Sequence, residues 1–215
     1  MRDRWNDAVI AEFADLMVYQ SIRKPLNDSA KVLAGVEYVM IDPRYAELTP
    51  NFDGPIVVSL GGSDPHGLTP KVVAALRGIE REVIVINGAA ASELDEVDGV
   101  QVVHAPESLV AHLDGAALLI GALGMTSYEA AASGVPSLLY SWSEDHERTA
   151  QELEARGVCV NLGRYDKFDG AELKLRVGEY LEDRAQWKRV SNTGKSLVDG
   201  HGVERVAEAI VRLLE

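Results

Sequence analysis

From about residue 55 to the end, short apolar runs alternate with segments of helical spacing. Ile56-Val-Val-Ser-Leu60 is β-branched and closes on Gly61-Gly62, and helical spacing follows in Thr69 to Leu76. Glu82 to Asn87 predicts a second strand, Val100 to Val103 a third, and Glu107 to Leu113 a short helix. Ala116 to Ile120 is a fourth strand, ending at Gly121, and a helix over Thr126 to Ser133 is stopped by Gly134 and Pro136. Ser137 to Tyr140 is a fifth strand, Glu144 to Arg156 a charged amphipathic helix closed by Gly157, and Val158 to Asn161 a sixth strand. Three helices complete the pattern, at about Gly170 to Leu181, Arg184 to Leu197 and Val203 to Leu214.

Strands this short and this continuously apolar, separated by helices, describe a parallel sheet covered on both faces. The expected fold is α/β: a Rossmann-like open parallel sheet of about six strands, with right-handed helical crossovers. The first 50 residues differ. Ala8 to Phe13 predicts a helix, Asp15 to Tyr19 a strand and Val36 to Ile41 another, with Pro43 and Pro50 marking the passage onward. Two isolated strands are marginal alone, so this leader needs the main sheet or another chain as a neighbour. The expected organisation is a leader over 1–50 and a main domain over 51–215.

The 215 residues are enough to bury a full core without staples, and the single Cys159 excludes an internal disulfide framework. No Cys/His spacing fits zinc, and no apolar run approaches the ~20 residues needed to cross a bilayer. The start, Met1 to Asp7, has no apolar core of a signal peptide, so a cytoplasmic protein is expected. A formal net charge of −13 disfavours nucleic-acid binding, because such a surface repels a phosphate polymer. A small anion remains possible, since amides at a helix start act whatever the net charge.

In an open parallel sheet, ligands bind beyond the carboxyl ends of the strands, and two glycine-bearing loops lie there. Ser59-Leu-Gly61-Gly62-Ser63-Asp64-Pro-His66-Gly-Leu-Thr69 leads into a helix for which Thr69 and Pro70 suit the cap and first turn. It reads equally as an anion cradle and as a plain tight turn. Gly121-Ala-Leu-Gly124-Met125-Thr126-Ser127-Tyr-Glu129 repeats the arrangement, with Thr126 or Ser127 as cap and amides able to hold a phosphate. Glu129, expected in the first turn, suits the helix dipole, or it accepts hydrogen bonds from two ribose hydroxyls. Neither loop has the Walker or the full G-x-G-x-x-G spacing, which argues against ATP hydrolysis and NAD chemistry. After the fifth strand, Ser143 suits a helix cap, while Asp145 and His146 can also orient sugar hydroxyls at the cleft mouth.

His104 ends a strand on the same edge, His112 suits a surface, and His201 sits in a turn before the last helix. Cys159 reads as packing, and Asp42, Arg44 and Tyr45 read as surface residues near a cleft.

Taken together, Val57-Val-Ser-Leu-Gly-Gly-Ser-Asp-Pro-His-Gly-Leu-Thr69 and Gly121-Ala-Leu-Gly-Met-Thr-Ser-Tyr-Glu-Ala-Ala-Ala-Ser-Gly-Val-Pro136 resemble the nucleotide-binding half of GT-B glycosyltransferase-like proteins. Within them, the UDP-sugar hydrolases of the pseudaminic acid pathway look closest. Asp42 to Phe52, Ser141 to His146 and Asp199 to Arg205 add to the likeness. More distantly, the chain is similar to the N-acetylglucosaminyltransferase that completes lipid II.

The resemblance implies that amides of Gly61, Gly62 and Ser63 and of Gly124, Met125, Thr126 and Ser127 hold a UDP diphosphate. Glu129 would then take the ribose, and backbone around Val103, His104 and Ala105 would read uracil. Asp145 and His146 stand where the hydrolases have Asn-Gln and the transferase a Gln-rich stretch, a departure that bears on the sugar. It also implies a preceding catalytic half carrying a G-x-G-H loop, which this sequence lacks. The expectation is a UDP-sugar-binding half working with a separate polypeptide or as a homodimer, with no cofactor. A non-catalytic nucleotide-sugar-binding module and an assembly subunit are the alternatives.

Overall fold

The computed structural model describes residues 13–23, 32–92, 94 and 97–215. Six strands form one parallel sheet in the order β5-β4-β3-β6-β7-β8. They are β3 (Ile56–Ser59), β4 (Val83–Asn87), β5 (Val100–His104), β6 (Leu118–Ala122), β7 (Ser137–Ser141) and β8 (Cys159–Arg164). The central pair, β3 and β6, is held in register from Ile56 opposite Leu118 to Ser59 opposite Gly121.

Both faces of this sheet are dry, which is why its strands are apolar at nearly every position. On one face Val58, Val85, Ile120 and Leu138 meet Leu68, Val72 and Leu76 around α2 (Thr69–Ala75) and Leu173 and Val177 of α6 (Gly170–Glu182). On the other face Val57, Leu119 and Leu139 meet α4 (Met125–Ser133) and α5 (Glu144–Ala155). α7 (Arg184–Leu197) serves both layers. Its Trp187 donates to the Ala117 carbonyl at 2.6 Å, and its Gly194 lies so close to α4 that a Cβ would sit 2.8 Å from the Ala131 carbonyl oxygen. α8 (Gly202–Leu214) follows.

The leader departs from expectation. β1 (Met17–Tyr19) forms as predicted, but its partner is β2 (Val32–Ala34), and the pair is parallel and separate from the main sheet. The strand expected over Val36 to Ile41 does not form: Val36–Tyr38 is a 3-10 turn. Three-residue spacing places both Val36 and Val39 against the core, a packing that a strand's two-residue alternation cannot supply. The helix expected over Ala8 to Phe13 lies outside the described residues except for Phe13, which is helical.

The neighbour that the leader requires is its own chain. Ile22, Val39, Ile41 and Tyr45 are buried in the core on the α4–α5 face. At the end of the leader, α1 (Arg44–Glu47) packs against α4. The Ile22 amide donates to the Tyr128 hydroxyl at 3.4 Å, and Lys195 donates to the Leu48 carbonyl at 2.7 Å. At the far side Gly202 begins α8 against the turn, where a Cβ would meet the Val39 carbonyl oxygen at 2.0 Å.

The short helix expected from Glu107 starts only at Val110, as α3 (Val110–Leu113). The preceding amide, that of Leu109, is already committed to the Tyr45 hydroxyl at 3.1 Å.

Candidate functional site

The chain leaves β3 and enters α2 on one face of the sheet; it leaves β6 and enters α4 on the other. Since β3 and β6 are adjacent and parallel, their two loops open a crevice at the point where the direction of winding reverses. The structure therefore brings Gly61, Gly62 and Ser63 to the same edge as Gly124, Met125, Thr126 and Ser127.

The first loop is shaped by glycine at a close approach. Gly62, Gly61 (φ 95°) and Ser63 are exposed, and Gly88 at the tip of β4 passes beneath them. A Cβ on Gly88 would sit 2.3 Å from the Gly62 carbonyl oxygen, which accepts the Ala90 amide at 2.9 Å. The expected Thr69 cap is replaced. Thr69 is already helical, and Asp64 accepts from the amides of Leu68 (2.9 Å) and Thr69 (2.8 Å). Its carboxylate thus satisfies the start of α2, so an anion here would meet the glycine amides and not that helix end.

The second loop differs. Gly124 occupies the N-cap position of α4 and has no side chain to offer, and neither Thr126 nor Ser127 caps the helix. The Ser127 hydroxyl instead donates to the Gly124 carbonyl at 2.6 Å. Among the described residues the Met125 and Thr126 amides have no protein acceptor. By contrast α5, α6 and α7 are capped by Ser143, Asp169 and Asp183. Orphan amides with a helix dipole behind them favour an anion.

Glu129 lies one position beyond the first turn of α4, the fifth helical residue, half-buried beside α1. Burial pushes its carboxyl up from the ordinary value, an effect that the neighbouring Thr126 and Tyr45 hydroxyls oppose and the Asp42 carboxylate adds to. Tyr45, expected at the surface, is only 2% exposed, and burial beside Glu129 pushes its phenol up to about 12. Sequence periodicity does not mark it, because α1 is a single turn with no amphipathic pattern to read.

Beyond β7, Ser143 caps α5 as expected, accepting the His146 amide at 3.2 Å. The Asp145 carboxylate is paired with Arg23, which also reaches Glu152 at 3.2 Å. That contact ties residue 23 to residue 145 and has no sequence signal. The His146 Nδ1 atom is buried without a partner among the described residues. His104 and Ala105 lie at the tip of edge strand β5, two strands away from β3. The Ala105 amide donates to the Asn87 carbonyl at 2.9 Å, with Ala105 at a positive φ of 42°. They share the carboxyl edge with the crevice and connect to it through the tip of β4.

His66, which the sequence placed in the first loop without a role, stacks on Tyr165 with ring centroids 3.6 Å apart and leans on Trp142 at 5.4 Å. His201 stands at the start of α8, 2.5 Å from Glu204. Cys159 is packed in the core as expected, and burial pushes its thiol up to about 12. Among the described residues no three His, Cys, Asp or Glu side chains gather as a metal site, and no helix is long and apolar enough to cross a membrane. An apolar cavity of about 160 Å³ lies elsewhere, between α2 and the β4–β5 strands, lined by Val73, Val85 and Val102 among others.

A six-stranded parallel sheet in this order, flanked by helices, has the architecture of a Rossmann-like half of a GT-B glycosyltransferase-like fold. No protein-family model matches the chain. It is 24% identical over 230 residues to the spore coat polysaccharide biosynthesis protein SpsG of Bacillus subtilis (strain 168), a match spanning 99% of this chain and 66% of SpsG. Among solved structures, MurG of Acinetobacter baumannii aligns over 97% of this chain and 63% of its own, with a TM-score of 0.66 and 15% identity. The glycosyltransferase VinC, solved in complex with DTDP, aligns over 81% of this chain and 44% of its own, with a TM-score of 0.59 and 20% identity. The chain thus spans about half to two thirds of the length of these proteins.

Proposed function

We propose that this chain is the UDP-sugar-binding half of a GT-B-type enzyme of surface-polysaccharide biosynthesis, a UDP-sugar hydrolase or a glycosyltransferase working in the cytoplasm. The observation that carries the reading is the pairing at the winding reversal: an uncapped α4 start faces the same crevice as the exposed Gly61–Ser63 backbone. A diphosphate placed between them meets main-chain donors from both sides without any basic side chain. Glu129 stands next in line for the ribose, and the β5 tip with His104 and Ala105 offers backbone for the base.

Such fixed dipoles stabilise the negative charge that grows on UDP as the sugar bond breaks, and they need little reorganisation to do so. The attacking water or acceptor is activated by a base that a second half of the GT-B fold supplies. The tie between Arg23 and Asp145 bears on the sugar end, since Asp145 must exchange Arg23 for hydroxyls before it can bind them. SpsG's role in spore coat polysaccharide synthesis and the DTDP bound to VinC support both the pathway class and the ligand class.

Isothermal titration of the chain with UDP, DTDP and UDP-N-acetylhexosamines tests this. Saturable binding of UDP, tighter for the sugar nucleotide, is the expected result. No heat at millimolar ligand, with the crevice loops intact by NMR, would overturn it.

A further inference from the structure

The first glycine loop is fixed at its ends by the buried Leu60 and Leu68 and makes little contact between them. Gly61, Gly62 and Gly67 have open space where a side chain would stand, and every residue from Gly61 to Gly67 except Asp64 is exposed. Gly61, Asp64 and Gly67 take positive φ values of 95°, 37° and 59°. The main chain is tied by the Ala90 amide on the Gly62 carbonyl and by the Gly67 amide on the Asp64 carbonyl at 3.0 Å. Glycine-rich backbone with so little packing has much freedom to lose, and amides that meet an anion must stand at set positions.

His66 supplies a further restraint. Its ring lies flat on Tyr165, with centroids 3.6 Å apart and planes 9° from parallel, and against Trp142 at 5.4 Å. Trp142 and Tyr165 in turn lean on each other at 5.7 Å. Trp142 follows β7 directly, and Tyr165 follows β8, the edge strand three places from β3. With neighbouring strands about 4.8 Å apart, β3 and β8 are separated by ~14 Å. The two rings therefore meet across the ends of β6 and β7, on the face that carries α2 and α6. The receiving end is itself held. Arg164 binds Asp166 at 2.8 Å and reaches Glu144 at the start of α5 at 3.9 Å, and the Tyr165 carbonyl accepts the Phe168 amide at 3.3 Å.

We propose that His66 is a positioning residue of the anion site: clasped by Tyr165 and Trp142, it holds the Gly61, Gly62 and Ser63 amides in place, so that the turn after β8 strengthens the binding of a diphosphate that it does not touch. This rests on the nucleotide-binding reading above and deepens it. The clasp works through ring overlap, since among the described residues the His66 nitrogens have no hydrogen-bond partner. A phenyl ring at position 66 should therefore serve, and a methyl group should not. Order imposed before the ligand arrives lowers the cost of binding, and one aromatic stack sets the gain at about two- to tenfold.

The experiment measures NMR order parameters of the Gly61, Gly62 and Ser63 amides, and dissociation constants for UDP, with thermal melts throughout. The proteins are the unaltered chain, His66→Ala, His66→Phe, Tyr165→Leu and the double variant of His66→Ala with Tyr165→Leu. In the free unaltered chain the three amides should be rigid, and the His66 ring protons should be shifted upfield by the Tyr165 face. His66→Ala and Tyr165→Leu should each loosen the amides and weaken UDP by about two- to tenfold. The double variant should be no weaker than either single one, and His66→Phe should restore both rigidity and affinity. Unchanged amides in His66→Ala, losses that add in the double variant, or no rescue by His66→Phe overturns the proposal. If Tyr165→Leu does not melt cooperatively, the exposed His66 and its rescue by phenylalanine decide alone. Failure of the unaltered chain to bind UDP removes the nucleotide reading, while the amide order of the free chain still decides the clasp.

Discussion

Glu129 shows how a single side chain can be placed against its own stability. Its folded-state carboxyl is raised, first by burial, so the fold favours the protonated form relative to the unfolded chain. The sign follows directly. Below the ordinary glutamate value of 4.5 the group is protonated in both states and costs nothing; as pH rises through the raised folded value, stability is lost. Glu129→Gln should therefore raise the melting temperature at pH 7, with the gain disappearing near pH 4. A variant that melts lower at pH 7 would contradict this account. Nucleotide binding should run the other way, strengthening as Glu129 ionises, so the same substitution should weaken UDP. Stability surrendered at one buried carboxylate is a common mark of a binding group.

At the same scale, Cys159 is the counter-example. Its thiol, pushed up to about 12 by burial, lies in the core and donates to the Ala150 carbonyl at 3.8 Å. It should resist thiol reagents in the native chain at pH 8 and react on unfolding, and reaction at native rates would place it outside the core.

At the scale of elements, two glycines separate the site from the scaffold. Gly88 lies under the first loop, and a methyl group there must displace the Gly62 carbonyl. Gly88→Ala should weaken UDP at least tenfold, by moving the Gly61–Ser63 amides off their positions. Gly202 lies where α8 meets the leader, against the Val39 carbonyl. Overpacking that buried contact costs about 1–3 kcal/mol, so Gly202→Ala should lower the melting temperature by roughly 2–4 °C per kcal/mol. Were Gly202→Ala to melt as the unaltered chain does, α8 and the leader would be able to separate freely.

Most elements of the main sheet were legible at this scale, and for one reason. A strand buried on both faces must be apolar throughout, and a helix on a sheet must show one apolar stripe, so β3 to β8 and α4 to α7 write themselves into composition and period. Short-range chemistry did less well. Thr69 looks like a cap, but the local turn at Asp64 (φ 37°) swings a carboxylate onto the same amides and wins, since an ionised acceptor binds amides more strongly than a hydroxyl. Val36 to Ile41 is apolar enough to read as a strand, but among the described residues no strand pairs with it, and packing at i and i+3 prevails.

For the whole molecule, the net charge of −13 and the candidate crevice combine into one expectation. Neither Gly61 to Thr69 nor Gly121 to Glu129 contains a lysine or an arginine, so attraction for a diphosphate comes from local dipoles while the overall field repels it. Salt screens the distant repulsion more than the contacts at the helix end. UDP affinity should therefore hold or tighten as sodium chloride rises from about 20 to about 200 mM. A steep loss with salt would mean that basic side chains, and not main-chain amides, hold the phosphates.

Along the chain, the run of apolar segments determined an open parallel sheet with helices on both faces, and the glycine turns determined which edge of it carries exposed backbone. These are local properties: each follows from the burial that its own residues require and from the φ values that its own turn demands. Tertiary structure alone decided that Tyr45 would accept the Leu109 amide, that Arg23 would occupy Asp145, and that the leader would pair within itself while filling the α4–α5 face. Those contacts join residues 64 and 122 positions apart, through side-chain hydrogen bonds that leave no period or composition in the sequence. Only the packing of α1 and the chain around Arg23 against the finished domain creates the distances at which they form.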